Sequence, residues 1–237
     1  MKGNNPMRSF WTFIGNDIYD VGCTGQTVYL YDKQGAELAK FKDLTYAYSA
    51  VISPTGELFA VKSTAGRLAV YSFEPPALIT KFRFSKVDGG QDDNFCFSAD
   101  GGELYSVEHH VNCLQTALSI YDTRDFSLKR RILDADKSMV LTGVENEKET
   151  NAFYLSGFFR DELGVAEKFF VGVLSGSELD DVVYVPEKEH TFFHSYLGLR
   201  ASGFTQKRYR WSYIDIPLDE LKATDLHLSD LWKRYKK

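Results

Sequence analysis

His109-His110-Val111-Asn112-Cys113 is the one cluster in the sequence that combines metal-ligand residue types. Imidazole and thiolate suit zinc, which takes four ligands in a structural site. Adjacent side chains on an extended segment point to opposite sides, so only one of the two histidines can join Cys113 and the set falls short. We read the segment as a solvated loop available for recognition, and assign no metal.

Carboxylates offer a second chemistry. Hydrolysis of a glycosidic bond needs two carboxyl groups about 5 to 9.5 Å apart, one of them with a raised pKa. The runs that would line a central channel, 48–53, 95–98 and 139–144, carry no acid; Asp92, Asp93 and Asp136 lie just before two of them. Turn formation and loop solubility account for these acids. The acidic, glycine-bearing stretch 87–94 lacks the oxygen spacing and terminal Glu of an EF-hand loop, and there is no Gly-x-Ser-x-Gly elbow, P-loop or Gly-x-Gly-x-x-Gly turn. Gln206-Lys207-Arg208-Tyr209-Arg210-Trp211 interleaves bases with aromatics as single-strand nucleic-acid binders do. A strand with one packed and one wet face explains it as well. No catalytic residue and no cofactor is assigned.

Composition narrows the partners. A formal net charge of −5 in 237 residues gives no long-range attraction for nucleic acid or an anionic membrane surface. Three cysteines, Cys23, Cys96 and Cys113, stand at irregular spacing, unlike a disulfide framework. The apolar patch 10–14 is too brief for a signal-peptide core, and no run approaches the roughly 20 apolar residues of a membrane span. The expectation is a cytoplasmic protein with reduced thiols.

Any chemistry depends on the elements that carry these residues. The stretch 48–82 has a shorter copy before it, ending in 25–41, and a longer one after it, 94–132. A repeat of about 40 to 50 residues made of short strands marks a propeller-like array. Period-two alternation broken by turns such as Pro54-Thr55-Gly56 predicts strands at 48–53, 58–62, 67–72 and 78–84 in the second copy. The first copy offers 10–14, 18–23, 27–32 and 37–41, and the third 95–98, 103–107, 117–122 and 127–133. Tyr31, Tyr71 and Tyr121 mark the third strand of each. A fourth set follows at 139–144, 152–157, 168–174 and 181–185. A fifth would use 191–199 and 209–216, with 224–228 as a closing strand and Ser229 capping a short basic helix, 230–235. The basic end from Lys233 reads as a solvated tail.

The fold expected is all-β, a β-propeller of four-stranded antiparallel blades, five in number, near 10–43, 46–86, 93–134, 138–187 and 190–237 of a single domain. Ser53-Pro54-Thr55-Gly56-Glu57-Leu58 and Gly25-Gln26-Thr27-Val28-Tyr29-Leu30-Tyr31-Asp32 resemble the WD40 signature, a Ser-Pro-Asp-Gly turn followed by a strand ending in Trp-Asp. Ser98-Ala99-Asp100-Gly101-Gly102 and Leu118-Ser119-Ile120-Tyr121-Asp122 match the same two parts. Over roughly residues 20 to 133 the chain is thus similar to the WD40-like and YVTN-like propeller repeats, with Tyr-Asp or Tyr-Ser in place of Trp-Asp. What the resemblance implies is architecture and a protein- or peptide-binding role.

In such blades the fourth-to-first and second-to-third connections leave by one face, which gathers Tyr46, Asp92, Asp93, Glu108, His109, His110, Arg160 and Asp161. The opposite face carries Glu145, Glu147, Glu149, Asp180 and Asp181. Long loops on a rigid scaffold are a ready binding surface. The function expected is a non-enzymatic scaffold for a protein or peptide, a monomer or a homo-oligomer joined through its ring ends; no nucleic acid or membrane is expected as partner. The alternative is a funnel-site hydrolase, glycosidic or acting on another small molecule, that uses loop carboxylates.

Overall fold

The computed structural model describes residues 10–84, 95–109, 115–134, 136–163, 166–185, 208–211, 214–217 and 228–236. Sixteen of its strands form four antiparallel meanders of four strands each: β1(Thr12–Gly15) to β4(Glu37–Phe41), β5(Ala47–Ile52) to β8(Ala77–Arg83), β9(Phe95–Phe97) to β12(Leu128–Ile132), and β13(Met139–Glu147) to β16(Glu178–Val185). The intervening strands are β2(Tyr19–Cys23), β3(Val28–Asp32), β6(Leu58–Ser63), β7(Arg67–Ser72), β10(Glu103–His109), β11(Thr116–Asp122), β14(Ala152–Arg160) and β15(Ala166–Ser175). First strands neighbour one another in chain order, β1 beside β5, β5 beside β9 and β9 beside β13, so the sheets stand as blades of a β-propeller.

Alternation along each strand sends one set of side chains forward and the other back, and every interblade layer is built from these two sets. Val21, Val28 and Leu30 of the first blade meet Phe59, Val61 and Tyr71 of the second. Ala60, Leu68 and Val70 on the second blade's other face meet Phe97, Leu104 and Tyr121 of the third. Tyr105, Leu118 and Ile120 meet Leu141, Leu155 and Phe170 of the fourth. Large rings fill the wedge between blades: Phe41 lies 4.5 Å from Tyr71, and Phe82 lies 5.1 Å from Tyr121, centroid to centroid. The fourth strands are wetter, as outer strands must be; β8 is mostly exposed and carries Lys81 and Arg83.

Both turns that carry the repeat signature close the same way. Ser53 N donates to Leu58 O at 2.9 Å and Gly56 N to Ser53 O at 2.8 Å; Ser98 N donates to Glu103 O and Gly101 N to Ser98 O, each at 2.9 Å. Gly56 and Gly101 both have φ of +73°, a conformation that a side chain at that position opposes.

Three expectations near the C-terminus need correction. Residues 209–216 do not form one strand; β17(Arg208–Trp211) pairs antiparallel with β18(Ile214–Pro217) in a two-stranded ribbon. The expected strand 191–199, and residues 224–227 of the closing strand, lie outside the described residues. Leu228 is helical: α1(Leu228–Tyr235) begins one residue before Ser229, which is buried within it. Leu228, Leu231 and Trp232 recur at helical spacing and pack on Tyr154, Val171 and Val185, covering the fourth blade's free face. The basic end is solvated at Lys233, Arg234 and Lys236, but it lies in and just after this helix rather than in a free tail. Leu228 N donates to Glu145 at 3.3 Å, Lys233 to Glu147 at 3.5 Å and Lys236 to Asp181 at 2.7 Å. Acids expected on a free face thus hold the helix that covers the apolar layer.

Candidate functional site

Tyr46, one of the expected site residues, is 58% exposed and has φ of +56°. A bulky residue in the left-handed region is uncommon and costs roughly 1–2 kcal/mol. Its neighbours hold it there. Ser63 Oγ donates to Thr45 O, Thr64 N donates to Tyr46 O at 3.2 Å, and Ala47 exchanges two backbone hydrogen bonds with Gly25 at 3.0 and 2.9 Å. The ring is therefore presented by a backbone tethered on both sides.

Beside it opens a cleft of about 340 Å³, lined by the turn 24–27 together with Tyr29, Tyr46 and Tyr48. Gly25, a lining residue with φ of +87°, lies near the indole of Trp11 and the ring of Tyr48; an added Cβ would stand 3.6 Å from Trp11 Nε1 and 3.8 Å from Tyr48 Cε1. Trp11, 44% exposed, lies outside that lining and meets Tyr48 edge-to-face at 4.9 Å and 81°. Thr12 Oγ1 donates to Tyr48 O, and Thr24 N and Oγ1 both donate to Thr27 O. The described lining carries hydroxyl and amide groups but no charge.

The other expected residues are placed differently. Arg160 ends β14 and donates from Nε and Nη2 to Lys137 O at 2.8 and 2.6 Å, which ties two connections of the fourth blade together. Asp161 accepts from Leu163 N at 2.9 Å in a local turn. Asp136, the acid before β13, likewise accepts from Ser138 N and Oγ. His109 is the last residue of β10, half-buried and paired in register with Thr116. Asp92, Asp93 and His110 lie outside the described residues.

Glu108 is not a surface residue. Strand β10 runs on to His109, and the Glu108 side chain turns into the blade, 1% exposed. Its carboxylate accepts from Ser119 Oγ at 2.7 Å and Tyr121 Oη at 2.8 Å, with Arg131 at 3.5 Å. Three donors compensate a buried charge that water no longer solvates. Burial first, then the adjacent Glu108 carboxylate, pushes the Tyr121 phenol far above its ordinary range. The group is structural, holding β10, β11 and β12 together.

Among the described residues, no three His, Cys, Asp or Glu side chains are grouped to hold a metal ion. Cys23 is buried, and burial pushes its thiol up to about 12, which keeps it from acting as a nucleophile near neutral pH. Spacing alone shows none of the cleft, since Trp11, Gly25 and Tyr48 come together only when the first two blades pack.

The fold has solved counterparts. Hydrazine synthase of Kuenenia stuttgartiensis superposes with a TM-score of 0.58 at 14% identity, over 72% of this chain and 51% of that one. The dihydro-heme d1 dehydrogenase NirN, in complex with DHE, superposes with a TM-score of 0.54 at 17% identity, over 71% of this chain and 35% of that one. At these identities the likeness is one of fold, and it spans about half of the first protein and about a third of the second. No protein-family model matches the chain, and no curated protein matches it. No helix of the described residues is long and apolar enough to cross a membrane.

Proposed function

We propose that this protein is a non-enzymatic binding module that takes a protein or peptide segment on the face formed by its second-to-third and fourth-to-first connections. One observation carries the reading: Tyr46 stands out from a tethered, left-handed backbone beside a cleft whose described lining, three tyrosines and the turn 24–27, carries no charge. Backbone strain persists where the surroundings over-determine it, and exposed aromatic rings on rigid loops are the commonest anchors of protein recognition. Such a ring loses little conformational freedom on binding, so more of its contact energy appears as affinity.

Affinity capture with the folded protein tests this, run beside Tyr46→Ala and beside Gln34→Ala, on the exposed third-to-fourth turn of the first blade at the opposite face. A stoichiometric protein partner kept by Gln34→Ala and lost with Tyr46→Ala is the expected result. A partner held equally by Tyr46→Ala removes the cleft from the interface.

A further inference from the structure

We propose that the face of the fourth blade covered by α1 is a docking surface for a basic amphipathic helix of a partner protein, and that α1 fills it in cis as a displaceable stopper. This surface lies on the fourth blade, apart from the cleft of the first two.

The helix already seated there defines the kind of partner. The other described layers set strand against strand, whereas here Leu228, Leu231 and Trp232 lie on Tyr154, Val171 and Val185, with the Trp232 and Tyr154 rings 6.4 Å apart. Acids flank this apolar strip, Glu145 and Glu147 on β13 and Asp181 on β16. Each holds a nitrogen of the helical segment: Leu228 N, Lys233 Nζ and Lys236 Nζ. The surface therefore selects apolar residues at helical spacing with cations toward the C-terminal end. An acidic helix would set like charges together at Glu147 and Asp181, which rejects it.

The way α1 is attached lets it leave. Among the described residues no backbone hydrogen bond joins α1 to a strand, while the strands of the blade are held by backbone ladders. Its ion pairs stand at the solvent surface, the side chains of Lys233 and Lys236 being 63% and 49% exposed, and such pairs are weak and screened by salt. Eight residues are too few for a helix that persists alone in water, where about 12 to 15 are marginal, so α1 is helical only while docked. Release is then one local step that leaves the ladders intact and opens a preformed apolar face. A partner helix competes with α1, which sets the threshold of binding.

The probes are a fluorescein-labelled synthetic peptide of residues 225–237 and a second peptide with Lys233, Arg234, Lys236 and Lys237 replaced by Glu. Anisotropy titrations use the full chain as wild type, as Lys236→Glu, which breaks one exposed ion pair, and as Trp232→Ala, which removes the buried ring. The basic peptide should bind wild type weakly, Lys236→Glu more tightly, and Trp232→Ala at least about tenfold more tightly than wild type, because the competing helix is loosened in that order. Amide exchange of residues 228–236 in wild type should outrun that of β14 and β15 and quicken with salt. Equal affinity for all three chains, an acidic peptide bound as tightly as the basic one, or exchange of α1 only at the rate of the blade strands overturns the proposal. Where Trp232→Ala fails to fold, Lys236→Glu against wild type decides.

Discussion

Tyr121 donates its phenolic hydrogen to Glu108 across 2.8 Å, and both side chains are buried in the third blade. The second blade repeats the tyrosine without the acid. Phe59 pairs with Tyr71 as Leu104 pairs with Tyr121, which puts Ser63 in the position of Glu108. Serine is too short for the role, and its hydroxyl is given to Thr45 O. The Tyr71 hydroxyl is buried with no hydrogen-bond partner among the described residues.

Opposite outcomes follow for one substitution at two equivalent sites. Tyr121→Phe removes a donor from a buried carboxylate and should cost about 1–3 kcal/mol, whereas Tyr71→Phe removes an unsatisfied polar atom and should be neutral or stabilise by up to about 1 kcal/mol. Urea unfolding midpoints of the two variants against wild type measure both. A loss at Tyr71→Phe as large as that at Tyr121→Phe would contradict the assignment.

Alkaline pH should unfold this protein earlier than its net charge alone implies. Burial raises the phenols of Tyr71, Tyr105 and Tyr121 above the ordinary value near 10, Tyr105 to about 12, and raises the Cys23 thiol to about 12. A raised acid favours the neutral form in the folded state. The stability it contributes is complete below the unfolded pKa and is lost as pH rises toward the folded one. Urea midpoints should therefore begin to fall above about pH 8.5, where the unfolded cysteine thiol ionises, and fall more steeply above about pH 10, where unfolded tyrosine ionises. A flat profile between about pH 9 and 11 would contradict this.

Helix α1 is the cover of the fourth blade, and its removal should expose an apolar face. Trp232→Ala should cost about 3 kcal/mol or more, in line with truncation of large buried rings. Deleting residues 228–237 strips Leu228, Leu231 and Trp232 together and should leave a protein that associates as its concentration rises, read by light scattering. A deletion that stays monomeric and equally stable would show that the cover is dispensable.

The blades were legible because their information is local. Turn signals at Gly56 and Gly101 and period-two alternation place the strands of the first three blades within two residues of β1 to β12 at every end. In the fourth blade the strands run longer than the alternation shows, by three residues at β13, β14 and the start of β16. Long-range pairing was not legible. Nothing near Lys236 announces Asp181, which lies 55 residues earlier, and nothing near Glu108 announces Arg131. Glu108 itself was misplaced because the polar run from Glu108 onward resembles a loop, while β10 continues through His109 by pairing with β11. Of the candidate site, Tyr46 was legible as an aromatic on a connection. The cleft beside it depends on two blades meeting.

Tyr46 also offers a direct separation of stability from binding. Its φ of +56° carries a steric penalty that glycine does not have, and its ring is 58% exposed, so little packing is lost with it. Tyr46→Gly should therefore stabilise the fold by about 1 kcal/mol after the entropy of the more flexible unfolded chain is counted. The same substitution removes the ring at the rim of the cleft and should abolish binding of the cognate segment. Tyr46→Phe keeps the ring and the strain, so it should leave stability unchanged and retain most of the affinity. Thermal unfolding and calorimetric titration of the two variants in parallel give both quantities. A Tyr46→Gly protein less stable than wild type would mean that the ring is a packing residue, and the case for it as a presented anchor would fall with that result.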